Sequence, residues 1–169
     1  MELLKLATEW AKAEVFSTRF FIFFALLFLI ASVGFWQMGK TDLAKAYIIP
    51  TLVAGILLMT IGLGLFYTNK TRIIQFEKAF NSDATAFYQS EIERSESTLK
   101  EYTVVFKVIP ILIIMAALLI LFIHTPTWRA IGITTIAMLI IILLVDGTAH
   151  ARIEAYHKEL KLVDIAHKN

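Results

Sequence analysis

Residues 47–67 read YIIPTLVAGILLMTIGLGLFY and contain no charged side chain. A helix needs about 20 apolar residues to cross the roughly 30 Å hydrocarbon core of a bilayer. Three further runs are strongly apolar: Phe20–Trp36, Ile131–Val145, and Val104–Ile123, whose single charged residue is Lys107 near its start. Because backbone polar groups inside a bilayer must be bonded within the protein, long apolar runs without alternation indicate helices. The sequence therefore predicts an all-α, multi-pass integral membrane protein.

The composition agrees with this prediction. Hydrophobic residues make up 58% of the chain and the mean hydropathy is +0.71, whereas soluble domains contain roughly 45–50% apolar residues. Sixteen basic and 14 acidic residues give a net charge of +2, which does not indicate a nucleic-acid partner. Cysteine is absent, so disulfides and thiolate metal sites are excluded. The first run is longer than the core of a signal peptide, and we expect it to be retained as a membrane helix.

The lysines and arginines predict an orientation. Thirteen of the sixteen fall on one side: twelve lie in the N-terminal segment, between the second and third spans or in the C-terminal tail, and Lys107 lies at the start of the third span, next to the central segment. Lys40, Lys45 and Arg129 lie on the other side. Loops rich in these residues stay cytoplasmic. The sequence therefore predicts a cell (inner or plasma) membrane protein with both termini cytoplasmic and with short outer loops near 39–42 and 124–127.

Apolar residues continue at helical spacing beyond each predicted span. The stripes are Leu3, Leu6, Trp10 and Ala13, then Ile73, Phe76 and Phe80, then Phe87, Tyr88, Ile92, Leu99 and Tyr102, and finally Ile153, Tyr156, Leu160 and Val163. An apolar stripe in water needs a packing partner, and the other three extensions supply one. An amphipathic helix at 1–16 lying flat on the membrane is the alternative for the first stripe.

The predicted architecture is one domain, an up-down-up-down bundle of four transmembrane helices with helical extensions into the cytoplasm. The helices are expected near 2–38, 44–80, 83–123 and 128–167, and their membrane spans near 20–36, 47–67, 104–123 and 128–146. Asn81-Ser82-Asp83 interrupts the pattern, with Asn81 or Ser82 expected as the N-cap. Pro110 is expected to kink the third long helix.

Small residues recur along the first two spans. Ala25, Ser32 and Gly39 follow one another at intervals of seven, as do Gly55 and Gly62. Small residues let membrane helices approach closely. These five residues are therefore predicted to lie in a helix-packing seam, either within the chain or, as an alternative, at a dimer face.

A weak internal repeat relates residues 68–78 to residues 148–158. Aligned in this way, the two segments share a threonine, an arginine, an isoleucine, an aromatic residue and a lysine. Duplication of a helical hairpin would explain the match. The alternative is coincidence, because such residues are common at a cytoplasmic membrane boundary.

Polar residues on the fourth long helix form the only constellation with potential chemistry. Spacings of three and four place these residues along one seam: Asp146, His150, Ile153, His157, Leu160, Asp164 and His167. Asp146, His150 and His157 are the candidate pH-sensitive residues, and Glu14 or Glu77 could face them in a metal site. Glu154 and His157 have the Glu-x-x-His spacing of di-iron bundles, but in a single copy. Ordinary solvated surface is the favoured interpretation, and no metal or cofactor is predicted.

The function expected from these observations is non-enzymatic. Phosphate-binding glycine loops, nucleophile elbows and paired histidine boxes are absent, and the centres of the spans carry no charged residue. We expect a membrane protein that acts by protein–protein association, either with itself as a homo-oligomer or as an accessory or immunity-type partner of another membrane protein. The alternative is an oligomeric ion channel, lined for example by Thr60, Thr134 and Thr135, or a small proton-linked transporter.

Overall fold

The computed structural model describes the backbone of residues 1–168 and the side chains of residues 1–163. The chain is helical apart from short turns, and no strand occurs within residues 1–168. The helices are α1 (Glu2–Met38), α2 (Asp42–Ala46), α3 (Ile48–Ser82), α4 (Ala84–Phe122) and α5 (Pro126–Lys168). Four of them, with α2 and α3 taken as one continuous segment, are long and apolar enough to cross a membrane. The prediction of an all-helical chain with four membrane-length helices is confirmed.

The helix ends differ in detail from the predicted ones. The second helix begins earlier, with the short α2, whose Thr41 cap accepts a hydrogen bond from the Ala44 N–H at 3.1 Å. Asp83 alone separates α3 from α4, and its carboxylate accepts hydrogen bonds from the N–H groups of Thr85 and Ala86 at 2.9 Å. Asp83 is thus the N-cap, whereas Asn81 and Ser82 end α3. An ionised cap also complements the positive end of the helix dipole.

The charged ends of the four long helices pack together. We call them the polar half, consisting of residues 1–19, 68–103 and 147–163, and we call residues 20–67 and 104–146 the apolar half. All four long helices contribute to one buried cluster in the polar half: Leu3, Ala7, Trp10, Ala11, Phe76, Phe87, Ile153, Tyr156 and Leu160. The stripes that extend beyond the membrane spans therefore bury their apolar faces against one another.

The apolar half has a smaller core. It consists of Phe21 and Ala25 of α1, Leu58 of α3 and Val145 of α5, so it is built where these three helices meet. Pro110 lies inside α4, which is one helix from Ala84 to Phe122. Most large apolar side chains of this half are exposed on its outer surface, as expected where lipid is the solvent.

Candidate functional site

A buried carboxylate organises the centre of the polar half. Glu91 on α4 is 4% exposed and accepts two hydrogen bonds from Arg94, one of them from Nε at 2.9 Å. Tyr156 on α5 donates its hydroxyl hydrogen to the same carboxylate at 2.6 Å. Burial opposes the charge of Arg94, but the hydrogen bond and the charge of Glu91 outweigh burial, and the pKa of Arg94 is raised. Burial and the adjacent Glu91 also raise the pKa of Tyr156.

Trp10 on α1 completes this group. Its ring stacks on that of Tyr156 with centroids 5.3 Å apart, and the Arg94 guanidinium lies 4.1 Å from the Trp10 ring centroid. A guanidinium at this distance over an indole face is favourably placed for a cation–π interaction. Three helices, α1, α4 and α5, are therefore joined through a buried arginine.

A second ion pair joins α1 to α5. The Nε of Arg152 donates to the Oε1 of Glu14 at 3.0 Å. Burial raises the pKa of Glu14 despite the opposing charges and hydrogen bond of Arg152. Removing two charged groups from water costs free energy that their pairing only partly offsets, so this ion pair need not stabilise the fold. It does show that the interior between α1 and α5 is polar.

Arg72 on α3 has no carboxylate partner. Its Nη1 donates to the Oδ1 of Asn69 at 3.1 Å, and Arg72 takes part in no ion pair within the described part of the chain. Burial, and after it the like charge of Arg94, lowers the pKa of Arg72. Arg72 therefore lies near Arg94 without a carboxylate in direct contact, and the charges of Glu91 and Glu14 oppose the lowering of its pKa only in part.

These groups surround a cavity of about 340 Å³ at the junction of the two halves, which we call the chamber. All four long helices line it. Its polar lining residues are Trp10, Glu14, Asn69, Arg72, Arg94, Thr98, Glu101, Tyr102 and Asp146. Burial and the carboxylates of Glu14 and Asp146 raise the pKa of Tyr102. The chamber is thus a pocket between four helices, each of which contributes at least one acidic or basic residue to the lining.

Three buried N–H groups around the chamber have no acceptor. They are the Nε1 of Trp10, the Nη1 of Arg94 and the Nη2 of Arg152. More than nine in ten buried polar groups in proteins are hydrogen-bonded, so these three donors are exceptions, and two of them belong to residues that line the chamber.

The structure separates the residues of the predicted seam on α5. Asp146 lines the chamber, whereas His150 lies edge-on to the rings of Tyr102 and Phe106, with centroids 5.6 and 5.4 Å away. No hydrogen bond joins Asp146 to His150 within residues 1–163. The side chains of Asp164 and His167 lie outside the described residues.

His157 contacts α4 instead of another seam residue. Its Nδ1 lies 2.7 Å from the Oγ of Ser95, which is fully buried. Because the Ser95 hydroxyl hydrogen is donated to the carbonyl of Ile92 at 2.8 Å, Nδ1 carries the ring hydrogen and Nε2 is the free nitrogen. Nε2 lies 3.9 Å from the Oε1 of Glu96.

The described residues contain no group of three or more His, Asp or Glu side chains that could hold a metal ion. Glu154, the other member of the Glu-x-x-His pair, lies on the exposed side of α5 and accepts a hydrogen bond from Lys158 at 2.7 Å. Glu77 is also exposed. The facing carboxylates considered from sequence thus have different roles, since Glu14 pairs with Arg152 and Glu77 faces outward.

Four of the small residues in the predicted seam lie between α1 and α3. Gly55 lies against Leu29 and Ala25, and Gly62 lies so close to α1 that an added Cβ would meet the Ile22 side chain at 2.9 Å. The Oγ of Ser32 donates to the carbonyl of Ile48 at 2.8 Å. Gly39 follows α1 at its C-cap, where its N–H bonds to the carbonyl of Phe35.

A second cavity, of about 610 Å³, lies between α3 and α5 in the apolar half, and we call it the groove. One side includes Lys45 and Ala46 of α2 and Pro50, Val53 and Ala54 of α3, and the α5 side includes Thr127, Ile131, Thr134, Thr135 and Met138. The lining is mostly apolar and rich in small side chains. Val53 is 48% exposed, so the groove opens towards lipid.

The chain matches no protein-family model, no curated protein and no solved structure.

Sequence reasoning identified Glu14 and Asp146, which line the chamber, but missed Arg72, Arg94 and the buried polar residues next to it on α4. Glu91 and Ser95 occupy positions of the α4 stripe, at intervals of four after Phe87, and polar residues in an otherwise apolar stripe are a readable signal of a polar interior. Arg72 and Arg152, which match in the internal repeat, both lie beside the chamber. Trp10 was assigned only to packing, and its unpaired N–H could not be read from sequence.

Proposed function

We propose that this protein is a non-enzymatic, multi-pass membrane protein that acts by association, first of all with a second copy of itself. The groove carries this proposal, because it offers small side chains on a lipid-facing surface, where a further helix can approach closely. Association with a helix of another membrane protein, as an accessory or immunity-type partner, would use the same surface.

The complementary surface is the outer face of α4. In the apolar 18-residue stretch of α4, only 6% of the residues are buried. The corresponding share is 17% in α1 and 28% in both α3 and α5. Large side chains cover this face, among them Ile111, Met115 and Leu118. Large residues on α4 of one copy fit small residues in the groove of the next. Such a contact is heterologous, because it joins two different surfaces of the chain. Repeated from copy to copy, it forms a closed ring when the rotation between neighbouring copies divides a full turn evenly.

The proposed topology is an up-down-up-down bundle with both termini cytoplasmic in a cell membrane. Leu3 of α1 and Leu160 of α5 belong to the same buried cluster, which supports a common side for the two ends of the chain. Thirteen of the sixteen lysines and arginines fall on that side, and the positive-inside rule then supports a cytoplasmic assignment.

An oligomeric channel or proton-linked transporter is the alternative function. Its support is limited to threonines in the apolar half. Thr134 and Thr135 line the groove, while the hydroxyl of Thr60 is donated to the carbonyl of Ile56 at 2.9 Å. The charged lining of the chamber ends at Phe21, Ile61 and Ile142, so charged residues do not continue from it across the apolar half.

Cysteine crosslinking tests the association. The chain has no native cysteine, so Val53→Cys in the groove and Leu118→Cys on α4 are unambiguous probes. Both lie a little over one turn from the outer ends of their helices, at matching depth. In co-expressed copies that carry different tags, an oxidant should join the Val53→Cys chain to the Leu118→Cys chain.

The matched control replaces Val53→Cys by Val33→Cys, which is similarly exposed, at 49%, and lies equally far from the outer end of its helix, but on α1 outside the groove. This control should not crosslink to Leu118→Cys. A monomeric mass in nanodiscs together with absent crosslinks would contradict self-association. Ion flux through liposomes containing the wild-type chain would instead favour the channel.

A further inference from the structure

We propose that the chamber is a binding site for an oxyanion, namely a phosphate or carboxylate group. This inference is independent of the association proposed above, because the chamber lies at the junction with the polar half and the groove lies between α3 and α5 in the apolar half.

The first argument is the surplus of donors. The Nε1 of Trp10 and the Nη1 of Arg94 belong to residues that line the chamber, and both are buried without an acceptor. Trp10 is 8% exposed. An oxyanion could accept hydrogen bonds from both of these unpaired N–H groups, and its bond to the guanidinium would be charge-assisted.

The second argument is charge. Arg94 is compensated by Glu91, and Arg152 by Glu14, but Arg72 has only the neutral Asn69 as a hydrogen-bond partner. The carboxylates of Glu14 and Glu91 act on Arg72 only from beyond contact distance, and a half-buried guanidinium gains most from an anion that it can hydrogen-bond directly. A bound oxyanion would give Arg72 such a partner and accept the orphan hydrogens in one step.

Two further carboxylates, those of Asp146 and Glu101, line the chamber and restrict the chemistry of the ligand that it can bind. Asp146 has no hydrogen bond within the described residues, and Glu101 is exposed at the margin. An anion that carries a hydroxyl group beside the phosphate or carboxylate would also satisfy Asp146. This favours a hydroxylated phosphate ester, such as a glycerol phosphate group, over a bare anion.

The chamber is reachable from both lipid and water. Ile61 and Leu65, which line it from α3, are 38% and 41% exposed on the apolar half, and Glu101 is exposed on the polar half. The same glycerol phosphate chemistry can therefore come from the headgroup of phosphatidylglycerol or from a free phosphate ester. The volume of about 340 Å³ suits either.

The test compares thermal unfolding of the full-length protein with two probes. One arm adds glycerol phosphate at constant ionic strength to protein in neutral detergent. The other compares phosphatidylcholine nanodiscs with and without phosphatidylglycerol. A rise in melting temperature in the first arm identifies a free ester, and a rise only in the second identifies a lipid headgroup. Either result supports the site.

Variants locate the effect. Arg72→Gln removes the guanidinium that no carboxylate contacts and should weaken binding about tenfold or more, and the ligand-free protein should melt no lower than the wild type. Trp10→Phe removes only the N–H and keeps an aromatic ring, so it should reduce the ligand-induced shift. The matched controls are Arg19→Gln, an exposed arginine on α1, and Trp36→Phe, an exposed tryptophan. Both should respond like the wild type.

Fluorescence gives a second readout in case Arg72→Gln does not fold. In the Trp36→Phe/Trp128→Phe protein, Trp10 is the remaining tryptophan, and its emission should change on titration with the active probe. The proposal is overturned if neither probe shifts the melting temperature or the emission, since the chamber then holds water alone. An equal shift in Arg72→Gln and wild type would also overturn it.

Discussion

Tyr156 and Glu91 lie 65 positions apart in the chain and are joined by a hydrogen bond of 2.6 Å in the polar half. The bond fixes α5 against α4, and the same carboxylate holds Arg94, which in turn lies over Trp10 of α1. One acidic side chain therefore sets the relative positions of three helices. Its burial adds to a polar interior that also includes Ser95 and His157.

Removing this hydrogen bond should destabilise the polar half. Tyr156→Phe keeps the stacked ring on Trp10 but takes one donor from a buried, charged acceptor, which typically costs about 1.5–3 kcal/mol. The measurement is the free energy of unfolding in detergent. Tyr67→Phe, at a tyrosine that is 74% exposed, is the control and should change the free energy by less than about 0.5 kcal/mol. Equal values for both variants would contradict the role of the bond.

The contact between α1 and α3 depends on Gly62. An added Cβ would lie 2.9 Å from the Cγ1 of Ile22 and 3.2 Å from its backbone nitrogen, and overpacking of this kind typically costs about 1–3 kcal/mol. Gly62→Ala should therefore lower the melting temperature. Gly64, two residues further on, has open space around its Cα, so Gly64→Ala should be neutral or stabilising. A loss of stability in Gly64→Ala as large as that in Gly62→Ala would argue against close packing at this point.

His157 should make stability depend on pH. Burial, and then the charge of Lys161, lowers its pKa in the folded protein against the opposing charge of Glu96, whereas the unfolded value is about 6.5. Between these two pKa values the unfolded chain binds more protons than the folded protein, so the free energy of unfolding rises with pH. The protein should therefore become less stable as the pH falls below about 6.5.

His157→Asn removes this titration and keeps a group that can hydrogen-bond to Ser95. Its melting temperature should therefore fall less steeply than that of the wild type as the pH is lowered from 6.5. Ser97→Ala, on the exposed face of α4, is the matched control and should keep the wild-type slope. An unchanged slope in His157→Asn would show that other groups govern the acid response.

The proposed topology predicts a labelling pattern. Thr41 and Thr125 lie in the turns at one end of the bundle, and Ser82 lies at the other. With cytoplasmic termini, cysteines introduced at Thr41 and Thr125 should react with an impermeant reagent in intact cells, whereas Ser82→Cys should react only after permeabilisation. The reverse pattern would invert the orientation.

Sequence alone was sufficient for the helices and their approximate ends. Hydropathy and helical spacing are local properties, so residues 47–67 and the stripe through Phe76 could be read without knowing their neighbours. The cap at Asp83 differs from the predicted one by one or two residues, because three adjacent residues could all act as caps and only the backbone conformation selects one of them.

The existence of the chamber and the pairing of its charges depend on the tertiary structure. Glu14 and Arg152 lie 138 positions apart, and whether they meet depends on how α1 and α5 are rotated and offset relative to each other, which no local pattern encodes. The seam through Asp146, His150 and His157 shows the same limit. Spacing placed the three residues on one side of α5, but the side chains of α1 and α4 gave each of them a different environment. The sequence by itself determined that four long helices form and which faces are apolar, because these properties follow from each residue and its near neighbours. Only the packing of the helices decided which charges are buried together, because electrostatic pairing depends on distances between chain segments that are remote in sequence.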